Sequence, residues 1–357
     1  MIGGGGFAVA ALAYTVLWFI GASQLKAGVE EWIAQRPATG LSATVGRLEI
    51  GGYPLAFKLI ARNPKLDFSP PPGSGQAAWS AGFARAVAET APWRPREFRI
   101  ELTGEHNFEF GSGSGRQALR GETGRVRAAA AFDSEGFPEF LSLDLRRIGL
   151  EIGRGRPAYA VASAQLSAER RPGGDGEGST PDLRFRIAAE GVNAPALPRL
   201  PLGNALQRVS LEARLVGDFP LENVLESLGA WRDRGGTLEL DKVDIRYGQL
   251  GVQASGTLAL DRNLQPIGAL TARLEGFPGA IDALREAGII RPRDAAVAKL
   301  VLGALARRPA GGGPRTLSLP LSVQDRKLSA GPVPLMDIPE IRWPEMAGET
   351  YRLRLLR

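Results

Sequence analysis

Cysteine is absent from this sequence, and histidine occurs once, at His106. Without cysteine there is no thiolate nucleophile, no redox dithiol, no disulfide and no Cys-based metal site. Its absence does not choose a compartment, because an oxidising one without disulfides and a reducing one both fit. A single histidine supports a catalytic triad only beside a nucleophile and an orienting carboxylate. Nothing local supplies them, and Gly104-Glu-His-Asn107 reads as a turn between two strands that carries a surface histidine. A metal would need carboxylates alone, and the acids lack the short regular spacing of a calcium loop. Asp241 and Asp261 end matching strands, where aspartate forms turns. There is no Gly-Lys-Ser/Thr and no Gly-x-Ser-x-Gly. Gly111-Ser-Gly-Ser-Gly115 opens no helix, as a dinucleotide fingerprint must, and reads as a hairpin loop. Neither an enzyme nor a cofactor is expected.

Lysine is also scarce. Of 44 basic residues only 6 are lysine, and the 38 arginines are scattered along the chain rather than gathered into a patch or arm. The net charge of +6 therefore reads as solvated strand faces and not as a nucleic-acid surface. What is abundant is apolar surface, 44% of residues, with Gly 46 and Pro 26, a composition of many short strands and turns.

The first charge-free run is Ile2 to Ala22, twenty-one residues that as a helix reach roughly 30 Å, a bilayer core. Trp18 and Phe19 sit where an interfacial aromatic belt belongs. Signal anchor, cleaved signal peptide and buried helix compete for this run. Its length favours an uncleaved anchor over residues 1–24, despite the small Gly21-Ala-Ser23. No basic residue precedes it and Lys26 follows, so the positive-inside rule does not set its orientation. Residues 25–40 continue as a juxtamembrane helix and linker, with Leu25, Val29, Trp32 and Ile33 at helical spacing until Pro37.

From Leu41 the period changes to two. Residues 41–170 read as an N-terminal β region, opened by three antiparallel strands up to Phe68. Ala77 to Ala91 interrupts it as a short helix, and residues 171–181 form a flexible boundary loop. Residues 182–357 are a C-terminal β region that repeats itself. Leu211-Glu-Ala-Arg-Leu215, Gly217-Asp-Phe-Pro220 and a helix return as Leu270-Thr-Ala-Arg-Leu274, Gly276-Phe-Pro278 and a helix. Between them Gly236-Thr-Leu-Glu-Leu-Asp241 is echoed by Gly256-Thr-Leu-Ala-Leu-Asp261. Aromatic-proline turns recur at Tyr53-Pro54, Phe137-Pro138, Phe219-Pro220 and Phe277-Pro278, where proline ends a strand and the ring caps the core. Asp294 to Arg308 is an amphipathic helix with Val297, Leu300, Val301, Ala304 and Leu305 on one face.

Three stretches carry a family likeness. They are Gln24-Leu-Lys-Ala-Gly-Val-Glu-Glu-Trp32, Arg47-Leu-Glu-Ile-Gly-Gly-Tyr-Pro-Leu-Ala-Phe-Lys58 with Asn63-Pro64, and the block from Gly256 through Leu317-Ser-Leu-Pro-Leu321 to Leu335. In their order the chain resembles a bacterial inner-membrane family, the domain of unknown function 2125, itself similar to the AsmA-like superfamily. The resemblance implies a single anchor, a periplasmic body, and an extended, curled antiparallel β-sheet, taco-like or an open sandwich, with few short helices. It also implies a part in lipid handling at the cell envelope.

Physical chemistry agrees on one point: a sheet with one apolar face must cover it with something. The candidate groove is lined by Leu238, Leu240, Leu258, Leu260, Leu270, Leu274, Leu317, Leu319 and Leu321, which alternation should place on one face. The expected protein is thus inner-membrane-anchored and binds phospholipid or another hydrophobic ligand. The alternative is a structural or assembly partner in the envelope with a closed core.

Overall fold

The computed structural model describes residues 3–34, 40–70, 77–111, 117–152, 155–171, 182–195, 197–217, 224–308, 314–331, 333–341 and 343, with backbone alone at 3–11, 32, 117, 156, 224–226 and 333–336. The protein is mainly β, with seventeen strands paired antiparallel in a large sheet and four helices among the described residues. It falls into two units, Met1–Phe132 with Ser142–Ala160, and Asp133–Leu141 with Val161–Arg357. The expected boundary loop, of which 172–181 lie outside the described residues, belongs to the span of the second unit.

The first unit begins with helix α1, Gly3–Ala34. Four short strands follow rather than three: β1 (Leu41–Thr44), β2 (Arg47–Gly51), β3 (Phe57–Arg62) and β4 (Lys65–Phe68). β2 pairs with β3 and β1 with β4, and both β3 and β4 lie against β5, Trp79–Ala91. β5 is the segment whose alanines suggest a helix. Alanine's helix propensity is worth only tenths of a kcal/mol per residue. Pairing on both edges, to β3 and β4 on one side and to β6 on the other, gives its backbone groups partners and wins.

β6 (Arg94–Phe110) is one strand where two were expected. The glycine expected to turn the chain, Gly104 with φ 88, instead carries a bulge against β7, Gln117–Phe132. Across that bulge the apolar positions of β5 change from odd (Trp79, Ala81, Phe83) to even (Ala86, Ala88). A slip of one residue demands this if apolar side chains are to keep to one face. β8 (Pro138–Ile152) and β9 (Arg156–Arg171) continue the meander.

The second unit continues as β10 (Asp182–Asn193), β11 (Ala205–Val216), helix α2 (Val224–Asp233), β12 (Thr237–Tyr247), β13 (Leu250–Leu260) and β14 (Pro266–Glu275). Helices α3 (Phe277–Glu286) and α4 (Pro292–Leu305) intervene before β15 (Thr316–Gln324), β16 (Lys327–Ala330) and β17 (Val333–Asp337). β10 to β17 pair in sequence order. The internal repeat is therefore structural: β11 leads to α2 as β14 leads to α3. Ala213 and Ala272, the central residues of the two repeated strands, are both buried, and Leu215 and Leu274 are both half-buried.

The aromatic-proline turns differ in detail. Tyr53-Pro54 is cis, while Phe277 opens α3 and is buried in the core. The Phe137 amide donates to Asp133 and Arg170 lies over its ring, 5.9 Å from the centroid. Phe219-Pro220 lies outside the described residues.

Candidate functional site

Register decides which side chains share a face, because residues directly opposite one another in a pair point the same way. Across β10 to β16 one row reads Phe185, Ala213, Leu240, Gly256, Leu270, Leu321, Ala330. The next reads Leu183, Leu215, Leu238, Leu258, Gly268, Val323, Leu328. On the other side lie Ile187, Leu211, Val243, Ala254, Ala272, Leu319, and then Ala189, Val209, Ile245, Val252, Leu274, Leu317. All nine leucines singled out in the sequence stand on this face, which bears no charged residue in these four rows.

The opposite face is polar. Arg214 makes a two-pronged bond to Asp241 at 2.8 and 2.7 Å, and Thr257 donates to Glu239 at 2.7 Å. The hydrogen bonds from Arg214 hold the Asp241 carboxyl below the ordinary carboxylate range. Asp241 is thus a mid-strand ion-pair partner rather than the turn former expected. Asp261 does form a turn, its side chain accepting from the Asn263 and Gln265 amides at 2.8 Å.

The apolar face is covered unevenly. Helices α3 and α4 close its far end, where Phe277, Ile281, Ala295 and Leu317 form a buried cluster with Leu250, Leu274 and Leu319 packed on it. Leu317 is 1% exposed. Six of the nine leucines, Leu238, Leu240, Leu258, Leu260, Leu270 and Leu321, are half-buried and lie outside that cluster. The candidate groove therefore divides into a filled end under the helices and a less covered remainder.

Two glycines shape the sheet under it. A Cβ on Gly256 would come 2.3 Å from the Ala269 carbonyl oxygen, and one on Gly236 would come 2.2 Å from the Trp231 indole. The same motif position thus needs glycine for two different reasons. At β13 the neighbouring strand approaches closely. At the start of β12 a buried tryptophan, its Nε1 donating to Val216 at 2.9 Å, fills the space.

In the first unit the structure relocates two expectations. Trp18 is not in a free belt position: it is 4% exposed, stacked on Phe57 at 5.2 Å and edge-on to Tyr53 at 5.4 Å. Phe19 stays exposed and stacks on Tyr53 at 5.8 Å. Thr15 and the Tyr53 hydroxyl lie 2.7 Å apart, so α1 is fastened to the β2–β3 turn along one side.

His106 is the second. It is 1% exposed inside β6, edge-on to Phe83 at 5.1 Å, with Nε2 against the Thr123 hydroxyl and Nδ1 without a partner among the described residues. Its burial lowers its pKa, opposed in part by the Glu105 backbone. It lies edge-on to Phe108 as well as to Phe83. A depression of about 500 Å³ between β5 and β8 is lined by the charged Glu89, Arg99, Glu101, Arg127 and Asp144 together with the apolar Val87, Ile100, Ala128 and Ala129. Among the described residues no group of three His, Asp or Glu is placed to hold a metal ion.

Sequence periodicity missed the placement of α4. Ala295 is buried and Ala298, Leu302 and Ala306 pack on the cluster, while Val297, Leu300, Val301 and Leu305 point out to solvent. Among the described residues no helix is long and apolar enough to cross a membrane. Ile2, and the side chains of α1 up to residue 11, lie outside that description.

A family model described as an uncharacterized protein conserved in bacteria, the domain of unknown function 2125, matches residues 18–339. The match names that family and not the AsmA-like superfamily. No curated protein and no solved structure matches. The chain belongs to this uncharacterized bacterial family.

Proposed function

For this member of the family, we propose a non-enzymatic, membrane-anchored protein that binds a lipid or another hydrophobic ligand on the apolar face of β10 to β16. We place its body in the periplasm, acting in envelope lipid homeostasis or transport. The observation that carries the reading is the uninterrupted apolar face whose central leucines, Leu240, Leu258 and Leu270, are only half-buried although α3 and α4 bury its far end. A half-covered hydrocarbon surface gains about 25 cal/mol for each Å² that a ligand removes from water. The outward side of α1 supports the anchor. Leu12, Val16, Leu17 and Ile20 are exposed there, Leu17 by 67%, while Trp18 and Ala22 hold the inner side to the sheet.

The test is lipid mass spectrometry on the purified protein, with Leu270→Glu as the discriminating variant. Leu319 packs on the buried cluster under the helices, so Leu319→Glu should unfold the protein whichever reading holds. On an open wall the Leu270→Glu carboxylate is hydrated when the site is empty, so the protein should keep its thermal midpoint and lose co-purifying lipid. In a closed core the same unpaired charge unfolds the protein. That outcome would favour an assembly protein with a filled interior, and a folded variant that kept its lipid would end the groove reading.

A further inference from the structure

The outward side of α4 is an exposed apolar surface that the proposed ligand site does not use. Val297, Leu300, Val301 and Leu305 lie along it, Leu300 at 76% exposure, and Ile289 is exposed just before the helix. These residues are not misplaced core. The inner side is occupied by Ala295, Ala298, Leu302 and Ala306, and Lys299 is held at the flank by Asp282 at 2.5 Å. The helix is apolar on both sides, and the small side packs inward.

Both ends of this surface are basic. Arg291 and Arg293 precede or open the helix, Arg307 and Arg308 follow it, and Arg315 stands at the entry to β15. All five are exposed, and among the described residues none of them forms an ion pair, although arginines elsewhere in the sheet do. Asp294 is the one acid in the helix. Arginines at a helix N-terminus oppose its dipole, so helix stability does not account for Arg291 and Arg293.

We propose that α4 docks on an anionic lipid bilayer, lying in the plane of its surface with the four apolar side chains inserted and the arginines against the headgroups. A helix with an apolar side and basic flanks gains both buried hydrocarbon area and attraction to acidic lipid. A second copy fits less well. A two-fold contact through this face would oppose its own arginines, like charge on like charge. The chain's C-terminal segment 344–357 carries three arginines and two glutamates and offers no acidic complement. This surface is separate from the sheet face and stands or falls independently of the ligand proposed there.

Because the chain has no cysteine, a single probe can report from α4 alone. Leu300→Cys, labelled with an environment-sensitive dye in the full-length protein, is mixed with phosphatidylcholine vesicles with and without phosphatidylglycerol. Ser318→Cys, exposed on the polar face of β15, serves as the reference. The dye at 300 should shift to the blue and become protected from aqueous quencher only with phosphatidylglycerol, while the dye at 318 stays in water. Each of Arg291, Arg293, Arg307 and Arg308 changed to Gln should weaken the response by roughly five-fold, from the ~1 kcal/mol of a surface cation. A dye at 300 that stays wet while the protein co-sediments with anionic vesicles through α1 would overturn the proposal. So would an equal response to neutral vesicles, or protection that rises with protein concentration and needs no lipid.

Discussion

At the scale of single residues the informative position is His106, because a buried histidine couples folding to pH. Its pKa in the folded protein lies below the ordinary 6.5, chiefly through desolvation. Above 6.5 both folded and unfolded chains hold the ring neutral, and pH has no effect through it. Below 6.5 the unfolded chain takes up a proton that the folded one refuses, so stability falls with pH down to the folded pKa. The denaturation midpoint should therefore decline as the pH falls below about 6.5, and His106→Gln should flatten that decline whatever it does to the midpoint itself. Carboxylates with lowered pKa, such as Asp241 and Asp282, stabilise above their ordinary 3.8 and lose that contribution only at lower pH, so they act outside this window. A decline that persists unchanged in the variant would remove His106 as its source.

At the scale of elements the repeated Gly-Thr-Leu motifs separate two causes that look identical in sequence. Gly236→Ala should clash with an indole and Gly256→Ala with a backbone, each costing about 1–3 kcal/mol as overpacking. Combining each with Trp231→Phe should relieve the first and leave the second unchanged. Equal coupling in both cycles, measured by chemical denaturation, would mean that the strands and not the tryptophan set the spacing. The face itself was legible because leucine alternating with serine, threonine or arginine admits one register, and a slip of one would expose the whole set. β5 was not, since alanine gives little contrast between faces and its local preference is for helix. The orientation of α4 was illegible for the opposite reason: Ala295, Ala298 and Leu302 make as good a periodic stripe as Val297, Leu300 and Val301, and only the space above Leu317 selects the small one. His106 looked like a turn residue because Gly104 precedes it, and a glycine at positive φ serves a bulge as well as a turn.

At the scale of the molecule, α1 packs one side on the sheet and exposes the other, and the membrane contact proposed for the exposed side can be tested directly. Trp18 and Ala22 face the sheet, where Phe57 and Tyr53 receive the indole, while Leu12, Val16, Leu17 and Ile20 face away. Trp18→Ala empties a buried aromatic site and should lower stability by about 3–5 kcal/mol. It leaves the outward leucines untouched, so the protein should still sediment with membranes. Leu12→Asp with Leu17→Asp does the reverse. Each charge placed in a helix at bilayer depth costs about 2.5–3.5 kcal/mol on insertion. On an exposed surface the same charges cost the fold little. The double variant should therefore keep its thermal midpoint and move toward the soluble fraction. If it unfolds, the outward side of α1 is packed on protein rather than lipid. If it folds and still sediments fully, the anchor reading of residues 1–24 fails, unless the stretch before Leu12 suffices alone. A third chain that begins at Leu12 and carries both substitutions decides that case, since it removes the stretch and keeps the Trp18 contacts.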